Sequence, residues 1–205
     1  MINKKFFTEE MYDTLLYETE HFTVIPSLGS FIEGWVLIVP KEEILNFSQL
    51  TKEKHFELDQ LINTIKSIQD SVYGNTVIFE HGPSAKCSKT GCGVDYAHLH
   101  LVPCEYNLID GFQYYFTPNL KWHEIQNIAE IANFNVNKLD YLYYRTQDNK
   151  HFVAIREEFP SQIFRQIIAH YKGLPSKYDW KKFPEYQIIK KTIAEFKKIK
   201  VHHES

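Results

Sequence analysis

The segment Asp95-Tyr96-Ala97-His98-Leu99-His100-Leu101-Val102-Pro103 sets two histidines two residues apart in an alternating run. In an extended strand Tyr96, His98 and His100 would share one face, and Ala97, Leu99 and Leu101 the other. An imidazole can attack phosphorus directly or move protons near neutral pH, so two on one face can divide those roles. The spacing alone also suits two packed histidines or a metal pair. The surroundings narrow the choice. Glu80-His81-Gly82-Pro83 and Gly91-Cys92-Gly93 precede the run, and glycines there let backbone N–H groups close on an anionic oxygen. The predicted chemistry is phosphate handling.

Such a strand needs elements to hold it. The sequence predicts an opening helix over 8–17 and strands over 21–26 and 35–39, the second stopped by Pro40, which cannot donate to a ladder. A helix follows with Thr51 as its cap, because Leu58, Leu61, Ile62, Ile65, Ile68 and Val72 recur at helical spacing until Gly74. A strand over 75–80 and a loop rich in Gly, Ser, Lys and Cys then lead to the histidines. The pattern changes near residue 104. Beyond it, strands over 141–146 and 151–156 form a predicted hairpin, and Pro160 and Ser161 open a helix faced by Ile163, Phe164, Ile167 and Ile168. The expected fold is α+β, with residues 1–104 as the domain that carries the histidines and 105–205 as an α/β extension packed on it.

Bulk properties bound the reading. At 205 residues the chain can bury a real core, and 43% hydrophobic with 24% charged residues is an ordinary globular balance. No stretch approaches the roughly 20 apolar residues of a membrane span. Glu9, Glu10 and Asp13 interrupt what could otherwise be a secretory leader, and three cysteines, an odd number, favour a reducing compartment, so cytoplasm is the expected location. A net charge of -3 argues against bulk electrostatic binding of nucleic acid. The late lysines, Lys190, Lys191, Lys197, Lys198 and Lys200, read as the solvated face of a terminal helix.

The histidine strand and its glycine loop, together with Glu33-Gly34-Trp35-Val36-Leu37-Ile38-Val39-Pro40-Lys41 a helix earlier, resemble the histidine triad (HIT) superfamily over roughly residues 8 to 104. The resemblance implies a fold of antiparallel sheet with packed helices, and a nucleotide substrate. It puts His98 on the middle histidine, the nucleophile toward a nucleoside α-phosphate, His100 on the third, and Tyr96 where the first would stand. It further implies that a main-chain carbonyl holds the other ring nitrogen of His98, and that neither metal nor cofactor is needed. Gly91, Cys92 and Gly93 fall on the phosphate loop; Cys92 replaces a common Gln, and Gly93 a Ser or Thr that meets the leaving group. Glu80 falls near a common amide, with His81 beside it able to supply a proton or a cation, or the two simply fix the loop. Ser27 takes the place of an acid on the ribose hydroxyls, and Leu28 joins Phe22, Ile25, Phe31 and Ile32 as candidates for the base pocket, with ordinary core the better reading for Phe22 and Ile25. Asp95 is expected to be structural.

The implied activity is hydrolysis or nucleotidyl transfer at an α-phosphate, as with a dinucleoside polyphosphate or a nucleoside phosphoramidate. The alternative is a nucleotide- or RNA-end-binding module silenced at Tyr96. A zinc site using Cys87, Cys92, His81 and His98 would lack any Cys-x-x-Cys pair. In the second part, Phe159-Pro160-Ser161-Gln162-Ile163-Phe164-Arg165 with Gly173-Leu174-Pro175 and Asp179-Trp180 resembles the carboxy-terminal region of CwfJ-type proteins. That likeness implies Gln162, Arg165 or Trp180 near the site, against the plainer reading of a helix capping a sheet. Small triad proteins commonly form homodimers; here the extra region could stand in for the second copy.

Overall fold

A computed structural model describes residues 11–88, 90, 94–115, 120–134 and 136–203, with side chains as far as 199. Strands β1 (Tyr17–Glu18), β2 (Phe22–Pro26), β3 (Val36–Pro40), β4 (Thr76–Gly82), β5 (Leu99–Pro103), β6 (Trp122–Ile125), β7 (Asp140–Arg145) and β8 (His151–Arg156) form one sheet. Its order is β1-β2-β3-β5-β4-β7-β8-β6, with every pairing antiparallel. The helices are α1 (Lys52–Tyr73), α2 (Leu108–Tyr115), α3 (Ile163–Tyr171) and α4 (Tyr186–His203). The α+β fold with an antiparallel sheet is as expected.

Alternation along the strands divides the core between two faces. Val36, Ile38, Ile78, Leu99 and Leu101 meet Leu58, Leu61, Ile62 and Ile65 of α1, and Ile189, Ile193 and Phe196 of α4 join that cluster. On the other face Phe79, Val77, Val102, Leu142 and Tyr144 meet Phe112 of α2 and Ile163, Phe164, Ile167 and Ile168 of α3. Thr51 caps α1 by accepting from the Lys54 N–H at 3.5 Å, and Gly74 ends it at φ 89°, a conformation glycine adopts without penalty. Val72 of the predicted apolar stripe is 38% exposed.

Two local expectations need correction. In the described part of the opening segment only Met11–Asp13 is helical, as a 3-10 turn, and Tyr17 already pairs with Val24. The histidine strand begins at Leu99, so Tyr96 and His98 precede the ladder instead of sitting in it. The second part extends the first part's sheet directly: β7 pairs with β4 from Ile78↔Arg145 to Gly82↔Tyr141.

Candidate active site

His100 is fixed by sheet register. It lies opposite Leu37 of β3 and Phe79 of β4, which puts all three on the face covered by α3. Its ring stacks on Phe79, centroids 4.6 Å apart, and Phe79 in turn stacks on Phe164 at 4.4 Å. The Trp35 Nε1–H donates to His100 Nδ1 at 3.0 Å. An indole nitrogen can only donate, so Nδ1 must accept and the His100 proton resides on Nε2. That Nε2 is buried with no partner among the described residues. Burial first, then the proximity of His98, His81 and Arg165, holds the His100 pKa well below its ordinary range.

His98 is held by its own turn. Its Nδ1 lies 2.8 Å from the Tyr96 carbonyl, and because a carbonyl only accepts, Nδ1 carries the proton and Nε2 the lone pair. The two rings meet edge to face at 5.0 Å. His98 is 9% exposed. Burial lowers its pKa, the Tyr96 carbonyl opposes that, and Arg165 adds to it. Burial and Arg165 thus both favour the neutral form of this imidazole.

Tyr96 shares the general face but serves a different end. Its ring packs with Ile25, Leu37 and Val39, and its hydroxyl lies 2.9 Å and 2.7 Å from the carbonyls of Pro40 and Glu42. One O–H divided between two carbonyls braces the Pro-Lys corner.

His81, by contrast, is brought in. It is two residues beyond Phe79 on β4, hence on the same face, with its ring 6.2 Å from His100 and 5.2 Å from Phe164. Burial, then the neighbouring His98 and Arg165, pushes its pKa down to about 3. Arg165 of α3 stacks its guanidinium 4.5 Å over Trp35 and donates to the carbonyls of Tyr178 and Gly29. Trp35 is a site residue that sequence reasoning passed over as ordinary strand; its only signal was that a buried indole N–H needs an acceptor.

Glu80 is not brought to the histidines. Adjacent to Phe79, it faces the α1 side, where it accepts from the Phe47 N–H at 2.9 Å and the Tyr141 hydroxyl at 2.5 Å. Burial raises its pKa to about 8 despite those two bonds. It is a structural acid, and the alternation that places His81 inward is what turns it away. Ser27 and Leu28 lie in the turn after β2, tied by the Ser27 N–H to the Trp35 carbonyl at 3.0 Å. Ser27 is buried, and Leu28 packs on the α1-side core. Next to them Gly29, at φ 67°, lies so close to Trp180 that an added Cβ would sit 2.5 Å from the Trp180 Cβ. Gly91, Cys92 and Gly93 lie outside the described residues.

The loop joining β4 to the histidines is anchored by the second part. Asp140 accepts from the Ser84 N–H at 2.7 Å and from the Ser84 and Ser88 hydroxyls at 2.8 Å each. The Phe159 N–H donates to Thr90 Oγ1 at 2.8 Å. Asp95 accepts from the Cys87 N–H at 2.8 Å, the structural role expected of it. Cys87 is an exposed free thiol and Cys104 a buried one. Among the described residues no three His, Cys, Asp or Glu side chains are grouped to hold a metal ion, and no helix is long and apolar enough to cross a membrane.

A neutral imidazole braced by a main-chain carbonyl, beside a second whose tautomer is fixed, is a site built around the His-x-His segment. Residues 8–106 match the family model of the HIT domain. Solved structures similar to it include a Hit-like protein involved in cell-cycle regulation from Bartonella henselae (17% identity, TM-score 0.38, 45% of this chain and 71% of that one). Others are a hypothetical histidine triad nucleotide-binding protein from Sulfolobus tokodaii (21%, 0.36, 45% and 62%) and a HIT family hydrolase from Clostridium thermocellum (23%, 0.34, 44% and 78%). No curated protein matches the chain.

Proposed function

We propose that the protein is a nucleotide hydrolase or nucleotidyl transferase that works through a covalent nucleotidyl-His98 intermediate. The observation that carries this reading is the 2.8 Å contact of His98 Nδ1 with the Tyr96 carbonyl, which puts the ring proton on Nδ1 and the lone pair on Nε2. In the first step the Nε2 lone pair forms a bond to the α-phosphorus while the bond to the leaving group breaks. The leaving group takes that electron pair and is protonated. The carbonyl offsets the positive charge arising on the ring. In the second step water attacks phosphorus and loses a proton, the P–N bond breaks with its electrons returning to Nε2, and a nucleoside monophosphate is released. His100 donates from Nε2 to a non-bridging oxygen, the direction Trp35 imposes.

A second reading, a nucleotide-binding module without turnover, draws on the Tyr96 hydroxyl, whose proton is engaged by the Pro40 and Glu42 carbonyls. One experiment separates the two. The purified chain is incubated with diadenosine tetraphosphate or adenosine phosphoramidate without added metal, acid-free quenched, and examined by mass spectrometry for a nucleotidyl adduct lost in His98→Ala. Turnover with an adduct on His98 is expected. Nucleotide binding with neither turnover nor adduct across a broad substrate panel would favour the binding module.

A further inference from the structure

His81 carries an observation the reaction above does not use. Its ring is 3% exposed, and neither Nδ1 nor Nε2 has a hydrogen-bond partner among the described residues. It stands between aromatic walls, 6.0 Å from Phe79 and 5.2 Å from Phe164, with His100 at 6.2 Å. A neutral imidazole has one donor and one acceptor nitrogen. Leaving either dry costs about 1–3 kcal/mol, so a purely packing residue at this position would be better as a phenylalanine.

The surroundings say what satisfies it. After burial, His98 and Arg165 both disfavour a positive charge on His81, and His98, His81 and Arg165 disfavour one on His100. A cation would be repelled there. An anion with several acceptor oxygens would instead accept from His81 and from His100 Nε2, whose nitrogens lack partners among the described residues. Tyr96 does not compete for that role, since its hydroxyl proton points to Pro40 and Glu42.

We propose that His81 is the third imidazole of the phosphoryl site, delivered from β4 instead of from the histidine segment, and that it donates a hydrogen bond to a phosphoryl oxygen of the bound nucleotide. This rests on the reading of the cluster as a nucleotide phosphate site, but not on the covalent step.

The test uses the full chain as wild type, His81→Phe and His81→Asn, titrated calorimetrically with adenosine monophosphate and with adenosine, and melted without ligand. Because the phenyl ring replaces two dry nitrogens, His81→Phe should melt about 2–4 °C higher than wild type. It should bind adenosine monophosphate about tenfold or more weakly while adenosine affinity stays within twofold. His81→Asn, which keeps a donor, should recover part of the loss. Unchanged affinity for the monophosphate in both variants overturns the proposal. So does a fall in melting temperature accompanied by equal losses for both ligands, which would mark a structural role. If the wild type shows the monophosphate effect yet forms no His98 adduct, covalent catalysis fails and the His81 assignment stands. If it binds neither ligand, the nucleotide reading fails and the assignment with it.

Discussion

Trp35 donates its indole N–H to Nδ1 of His100 at 3.0 Å, and by doing so decides which end of that imidazole faces the site. Trp35→Phe keeps most of the packing against Phe31 and Phe79 but releases the tautomer. The expected result is a fall in kcat of roughly tenfold with a smaller change in KM, since the lost interaction acts through His100. Long-range nitrogen NMR should show His100 moving from one tautomer to a mixture. A single unchanged tautomer would remove Trp35 from this role.

Arg165 bears on His98 electrostatically, lowering its pKa after burial has already done so. Taking the guanidinium away raises the pKa, so protonation silences the nucleophile at a higher pH. Arg165→Gln is therefore expected to move the acid limb of the kcat/KM profile toward neutrality. A limb that stays in place, or moves to lower pH, contradicts the assigned influence.

Tyr96→Phe tests the hydroxyl bonded at the Pro-Lys corner. The carbonyls of Pro40 and Glu42 lose a donor, which should cost about 1–2 kcal/mol in urea unfolding. Tyr96→His should also destabilise the chain, because a smaller polar ring replaces a phenol packed on Ile25, Leu37 and Val39. Stability equal to wild type in both variants would sink the bracing role.

Glu80 makes stability fall with rising pH. Its folded pKa is raised from an ordinary 4.5 to about 8, with burial as the main cause. The folded state thus holds a proton the unfolded state releases, and the contribution present below 4.5 is lost as pH passes through 8. Urea midpoints should drop between about pH 4.5 and 8 for the wild type, and Glu80→Gln should flatten that part of the curve. A parallel drop in the variant would assign the dependence to another group.

What the sequence made legible was mostly local. The apolar spacing from Leu58 to Ile65, with Thr51 and Gly74 at its ends, describes α1 because capping and periodicity are properties of neighbours. The hairpin of β7 and β8 was readable for the same reason, as was the need for a carbonyl behind His98 once the family likeness was drawn. Long-range register was not readable. Nothing near Phe79 announces that it lies opposite His100, yet that pairing brings His81 in and sends Glu80 to the other face. Alternation was likewise applied too early to Tyr96 and His98, which lie ahead of the first ladder bond.

The junction of β4 with β7 reaches beyond the site. It engages Ile78 through Gly82 in five consecutive pairings with Tyr141 through Arg145. A fragment ending at residue 104 would leave that row of N–H and C=O groups open on an apolar strand, a ready template for intermolecular pairing. Among the described residues the rims of the sheet are instead the two-residue β1 and the four-residue β6. The later residues thus cover an edge that would otherwise be open to pairing between molecules.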